Sequence, residues 1–337
     1  MRARVEEGKA PLARCVLALG PDTAGRLLAE LIDRAQRRLD VAVYELGPGY
    51  AGRVARAAER GVAVRALLDA HAGANATAAG VLGAGAAACR VLGGHRGAEA
   101  HWKVLIADDV MAVGSGNLIR RDAPPPGTAG TREWWVAVSD GAALLGQAAA
   151  ALDAAWAEAS APAWRPGAAV PVAPPVGVPH PAVPSLSLDV DPRCLHLGVG
   201  GAEVAALLGA QLRGAARRAL VTVPYVHTHV ATVRELLDLL AAAGGRLLLG
   251  TPPDPADAAA LRATPLLHAR VMDPARCTTG HAKGMVADGV AVVGSANWSA
   301  AGLGGNREAA LAIADDRAAD WFAAALERDW EVSSPLR

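Results

Sequence analysis

With 337 residues, 52% of them apolar and 20% charged, the chain can bury a substantial core as one large domain or two ordinary ones, and its composition excludes disorder. Its 33 basic and 33 acidic residues balance, which argues against a nucleic-acid binder working through a strongly basic surface. The alanine-rich stretch over 141–156 is broken by Gly146, Gln147 and Asp153, and the N-terminal charges precede no apolar segment; no membrane span is expected, and a cytoplasmic location is.

Apolar periodicity predicts a helix over 24–38, a strand over 40–44, a second helix over 51–60 and a strand over 62–68. Further on, Glu133 opens an apolar strand, and a closing helix ends at Trp156. Residues 161–192 hold nine prolines and read as an extended linker. The same order then returns as a helix over 203–218, a strand over 220–224, a helix over 230–243 and a strand over 246–249. Glu308 opens another apolar strand, and a last helix ends at Trp330.

A shift of 180 residues lays Arg37-Arg38 on Arg217-Arg218, Val41-Ala-Val43 on Val221-Thr-Val223, and Leu67-Leu68 on Leu247-Leu248. The chain is therefore read as two like halves, 1–160 and 193–337, joined by the linker at 161–192. Strands alternating with helices imply layered α/β halves with helices over both faces of a sheet. Two halves of one kind packed about a pseudo-two-fold axis would bring equivalent segments face to face. The four cysteines form no C-x-x-C pair and are expected to be buried free thiols.

Only three lysines occur, and two of them fall in a motif written twice. His101-Trp-Lys103, Asp108 and Gly114-Ser115-Gly-Asn117 repeat as His281-Ala-Lys283, Asp288 and Gly294-Ser295-Ala-Asn297, with identical internal intervals. A chain that otherwise uses arginine places a compact ammonium here, where a point charge serves better than a planar fork. Residues two apart on a strand share a face, so each His points with its Lys, and each Ser with its Asn. Two copies supply two imidazoles, two ammonium groups, two hydroxyls and two carboxamides, an inventory for metal-free phosphoryl transfer. Glu133 and Glu308 are the candidates to hold the second ring nitrogen of each imidazole.

The pattern H-x-K-x4-D with G-S-x-N, intact in both halves, resembles the phospholipase D superfamily from about residue 24 to 335, linker excluded. The resemblance implies two pseudo-symmetric α/β/α sandwich halves packed as one bilobal unit, and a phosphohistidine mechanism without metal or cofactor. It implies His101 as nucleophile, His281 as general acid, and Lys103, Lys283, Asn117 and Asn297 as ligands of the phosphate oxygens. Ser115 and Ser295 would support the site, while Asp108 and Asp288 would be structural.

Tyr225, His227 and Glu45 lie at strand ends where substrate contacts occur. Trp298, one residue past the second Asn, is expected at the mouth of the site. Arg120-Arg121, directly after the first motif, could meet a second phosphate or an anionic headgroup, whereas Arg37-Arg38 and Arg217-Arg218 read as helix ends. The expected substrate is a phosphodiester, with phospholipid ahead of nucleic acid. Hydrolysis and transfer to an alcohol stay open. A nuclease or DNA-processing phosphodiesterase is the alternative, and a non-catalytic scaffold fits poorly with two intact motifs. A monomer with peripheral membrane contact is expected.

Overall fold

The computed structural model describes residues 11–84, 87–93, 98–161, 182–273 and 278–336. The first half runs β1 (Ala13–Gly20), α1 (Ala24–Arg34), β2 (Arg38–Val43), α2 (Pro48–Glu59), β3 (Ala63–Asp69), α3 (Asn75–Gly83), β4 (Ala88–Leu92), β5 (Lys103–Ala107), β6 (Val110–Gly114), β7 (Glu133–Ser139) and α4 (Ala142–Glu158), with β8 (Leu186–Val190) after it. The second half repeats that order as β9 (Leu195–Val199), α5 (Gly201–Gly214), β10 (Ala219–Val223), α6 (Ala231–Ala242), β11 (Arg246–Leu249), α7 (Pro255–Ala263), β12 (His268–Val271), β13 (Gly284–Ala287), β14 (Val290–Gly294), β15 (Ala309–Ala314) and α8 (Asp316–Glu331). A short β16 (Ser334–Pro335) closes the chain.

Each half builds one eight-stranded sheet. The orders are β4-β3-β2-β5-β6-β7-β1-β8 and β16-β12-β11-β10-β13-β14-β15-β9, so seven strands correspond one to one. The outer face of the first sheet packs with α1, α2 and α3 around Leu28, Val54 and Leu82. The second sheet's outer face packs with α5, α6 and α7 around Leu208, Leu237 and Leu261. The two inner faces share a third core with α4 and α8, in which Trp134 stacks on Phe322 at a centroid distance of 4.4 Å. The layers are thus helix, sheet, helix, sheet, helix, and the two motif hairpins meet at the centre.

Those hairpins are fixed by the motif aspartates. Asp108 and Asp288 sit at φ 52° and 47°, in the left-handed region that short polar side chains tolerate. Asp108 accepts from the backbone N–H groups of Gln36, Arg37 and Arg38 at 2.9, 2.7 and 3.0 Å, and Asp288 accepts from Ala216, Arg217 and Arg218 at 2.9, 2.9 and 2.8 Å. The aspartates therefore tie the β5–β6 and β13–β14 turns to the helix–strand connections, well away from the imidazoles.

Several sequence expectations are corrected here. Helices α1 and α5 end at Arg34 and Gly214, so the arginine pairs are not helix ends: their backbone is drawn into the connection by the aspartates. The strands β1 and β9 precede the helices that were expected to begin each half. Within the segment read as linker, residues 162–181 lie outside the described residues, but 186–190 is β8, paired antiparallel to β1. Its Leu-Ser-Leu-Asp-Val alternation places Leu188 and Val190 inward. Of the cysteines, only Cys15 is buried; Cys89 and Cys194 are partly exposed, and Cys277 lies outside the described residues.

Candidate active site

The glutamates cross. His101 Nδ1 lies 3.0 and 3.1 Å from the carboxylate oxygens of Glu308, and His281 Nδ1 lies 2.6 Å from Glu133 Oε1. Each imidazole is held by the acid of the other half, and both acids are fully buried. The crossing follows from backbone pairing between the halves: Arg132 N–H donates to Thr279 O at 2.8 Å, and His281 N–H donates to Arg132 O at 3.0 Å. In the mirror position Arg307 N–H donates to Glu99 O at 2.9 Å.

The serines hold the acids. Ser115 Oγ donates to Glu133 at 2.5 Å and accepts from Trp134 N–H at 2.9 Å. Ser295 donates to Glu308 and accepts from Ala309 N–H at 3.0 Å. With carboxylates on Nδ1, Nε2 is the nitrogen of each ring left to act on a substrate, as a nucleophile when bare and as an acid when protonated.

Both lysines are buried, one beside the buried His101 and the other beside the partly exposed His281. Lys103 Nζ donates to His101 O at 2.7 Å, and Lys283 Nζ reaches His281 O at 2.7 Å, His281 Nε2 at 2.9 Å and Ser115 O at 3.1 Å. Burial, with Lys283 beside it, pushes Lys103 down to about 7, against the pull of Glu308. Burial likewise pushes Lys283 down to about 8, against the pull of Glu133. Burial lowers His101 to about 4 although Glu308 opposes it, so at neutral pH His101 is an uncharged imidazole with Nε2 free. The Asn117 and Asn297 Oδ1 atoms are buried and have no partner. An orphaned acceptor needs a donor, which a bound water or a ligand hydroxyl would supply, while the amide nitrogens remain the groups able to donate to an anion.

The structure also places residues that the sequence did not single out. The Tyr44 ring lies 5.3 Å from that of His101 and 5.7 Å from Lys103 Nζ. Asp122, fully buried, lies 3.8 Å from His281 Nδ1. Thr131 Oγ1 donates to Glu133 at 3.0 Å, and the Asn306 amide reaches Glu308 at 3.4 Å. The half-buried Glu99 flanks the pocket together with Glu45, which its strand-end position had already marked, and burial raises the carboxyl of each, helped by Asp122 at Glu45 and by Asp69 at Glu99.

Tyr225 is half-buried near Asn297, at the edge of the site, and the His227 ring lies tilted against it at a centroid distance of 5.2 Å. Two other expectations fail. Trp298 is 2% exposed and packs in the outer core of the second half, because the chain turns inward after Asn297. Arg120 faces outward into a groove beside α1 and α2, and the next residue, Arg121, turns toward the site, with Nε 2.8 Å from Asp122.

Asp122, Glu133 and His281 offer atoms within 4.8 Å of one another. Arg121 already sits on Asp122 and Lys283 on His281, so an added cation would meet two positive groups, and we assign no metal ligands there. Among the described residues, no helix is long and apolar enough to cross a membrane.

Two imidazoles, two buried ammonium groups and exchanged carboxylates, set at the centre of a duplicated five-layer α/β fold, define a site for an anionic tetrahedral group. Two solved structures share this fold over most of the chain. The family described as "Cardiolipin synthase, PLD-like domain" matches residues 208–330. The crystal structure of phosphatidylserine synthase from Haemophilus influenzae Rd KW20 superposes with a TM-score of 0.66 at 14% identity, over 95% of this chain and 87% of that one. Polyphosphate kinase from Porphyromonas gingivalis gives 0.59 at 14% identity, over 94% of this chain and 50% of that one. The phospholipase D family member Nuc from Salmonella typhimurium, at 19% identity and a TM-score of 0.40, covers 44% of this chain and 97% of its own. No curated protein matches the sequence. Residues 208–330 thus match that PLD-like family, and the chain as a whole shares the fold of the phosphatidylserine synthase structure.

Proposed function

We propose that the protein is a metal-independent phosphodiesterase or phosphatidyltransferase that works through a phosphohistidine. The crossed pairing of each imidazole with the other half's glutamate, beside a buried lysine, carries this reading. His101 Nε2 attacks phosphorus, forming a P–N bond as the bond to the leaving oxygen breaks, and that oxygen takes the Nε2 proton of His281. Lys103 and Lys283, with the amides of Asn117 and Asn297, hold the non-bridging oxygens. Water or an acceptor alcohol then gives its proton to His281 as its oxygen displaces His101 from phosphorus. The neutrality of buried His101 favours it as the nucleophile.

Phospholipid is the preferred substrate class. A polynucleotide would bring further phosphates against Glu45 and Glu99, and a chain whose 33 basic residues are balanced by 33 acidic ones has no excess of positive charge to draw it in. A single phosphate esterified to a polyol or amino alcohol fits that setting better. The likeness to a phosphatidylserine synthase points the same way. The test is an activity panel in EDTA with phosphatidylcholine, phosphatidylglycerol, single-stranded DNA and duplex DNA. Full turnover of a phospholipid is expected. Turnover of DNA alone would transfer the reading to a nuclease, and activity lost on chelation and restored by a divalent ion would overturn the mechanism.

A further inference from the structure

The two halves match in their motifs, glutamates and serines, but not between the motif Asn and the acid. The first half carries five more residues there. The second half closes the gap with a π-turn, Ala301–Gly305, whose Ala-Gly-Leu-Gly-Gly sequence bears no ionisable side chain. Where the first half is longer it buries Asp122 completely. That carboxylate accepts from Asn117 N–H at 3.0 Å, Asn117 Nδ2 at 3.1 Å and Arg121 Nε at 2.8 Å, and Thr131 Oγ1 lies 3.2 Å away.

The consequence is an unequal pair of imidazoles. His281 faces Glu133 at 2.6 Å and Asp122 at 3.8 Å, with Lys283 at its Nε2 and Glu45 on the neighbouring loop. His101 faces one carboxylate, Glu308, together with the Tyr44 ring and the charges of both lysines. An imidazolium at 281 therefore meets two buried carboxylates, one of them shared with Arg121, and one at 101 meets a single acid. Burial would raise the Asp122 carboxyl, but His281 and Arg121 hold it down at about 2, so the charge is present at any working pH.

We propose that Asp122 is a positioning residue that divides the work between two otherwise equivalent half-sites, holding the proton on His281 so that His101 is left as the nucleophile. The inference rests on the phosphohistidine reading above. It also gives the longer loop of the first half a purpose, since that loop delivers the charge and fixes the Asn117 amide at the same time.

The test compares two esters that share a phosphatidyl group and differ in the leaving alcohol, phosphatidyl-p-nitrophenol and phosphatidylglycerol. An acidic phenol leaves without a proton donor, whereas glycerol needs one. In full-length Asp122→Asn, turnover of the glycerol ester should fall at least about tenfold further than that of the nitrophenyl ester. The adduct trapped by rapid quenching should stay on His101. The ratio within one preparation cancels any loss of folded protein, Asp122→Ser serves if the Asn variant does not fold, and Asp122→Glu should recover part of the ratio. Equal losses on both esters would reduce Asp122 to a loop support and overturn the proposal, as would unchanged rates or a wild-type adduct on His281. Wild-type turnover without an adduct on either histidine would instead remove the phosphohistidine reading beneath it.

Discussion

Glu308→Gln is the most direct test of the crossed site. The substitution keeps the volume and an acceptor for Ser295, and removes one charge from a carboxylate 3.0 Å from His101 Nδ1. A hydrogen bond to a charged group contributes about 1.5–3 kcal/mol net. At about 1.4 kcal/mol per factor of ten, the loss in the step that charges His101 is roughly 10- to 150-fold. The full Coulomb interaction over that distance, roughly 5 kcal/mol at an effective dielectric of about 20, sets the upper limit.

The assay is the pre-steady-state burst of p-nitrophenolate from phosphatidyl-p-nitrophenol, which reports attack by the nucleophile alone. Glu308→Gln should slow the burst itself. Glu133→Gln, acting on His281, should leave the burst nearly intact and slow the release of glycerol from phosphatidylglycerol. An unchanged burst in Glu308→Gln, or the same pattern from both variants, would refute the assignment of each acid to the other half's histidine.

Two further outcomes concern stability. Lys103 is pushed down to about 7 by burial, so between about pH 7 and its ordinary 10.5 the unfolded chain binds more protons than the native one. Native stability should therefore rise with pH through that window, and Lys103→Met should be inactive yet melt higher at pH 7, with the gap narrowing by pH 9.5. A variant melting lower than wild type at pH 7 would show that the ammonium is compensated after all. Asp108→Ala removes the acceptor of three backbone N–H groups and puts Ala at φ 52°, a loss of about 2 kcal/mol once access of water is allowed for. Denaturant titration should show that loss with kcat per folded molecule unchanged, and lost activity at full stability would make Asp108 functional instead.

The motif residues were legible because two strands and two turns repeat at a fixed shift, and chemistry at a two-fold axis leaves the same signature twice. Glu133 and Glu308 were found for the same reason. What escaped was everything that breaks the repeat. Asp122 lies in the unmatched loop, so no second copy marks it, and only its burial beside His281 separates it from an ordinary surface acid. Trp298 and Arg120 were placed by their proximity to the motif in sequence, but one residue of turn decides which side chain faces the pocket, and Arg121 takes the place expected for Arg120. The β8 strand was hidden by the prolines before it, although its own alternation is regular.

Exchange of the glutamates makes the two halves depend on one another, because a half that folded alone would have a histidine and lysine without its acid. The junction that enforces the exchange is itself unequal. Arg132, one residue before Glu133, is buried between Asp22 of its own half, at 2.9 Å, and Asp329 of α8, at 2.8 Å, and it also donates to Gly20 O at 2.9 Å. A buried cation with two buried carboxylates is costly to break, since loss of the arginine strands both acids. Its counterpart Arg307, one residue before Glu308, is partly exposed and pairs with the exposed Glu158. Glu133 is therefore the more firmly anchored of the two acids, and it serves the histidine that also has Asp122. The first half thus supplies a rigid, doubly acidic wall around His281, while His101 lies in a drier pocket with one acid. In the proposed reaction a duplicated chain thus divides two roles between its halves without changing either motif.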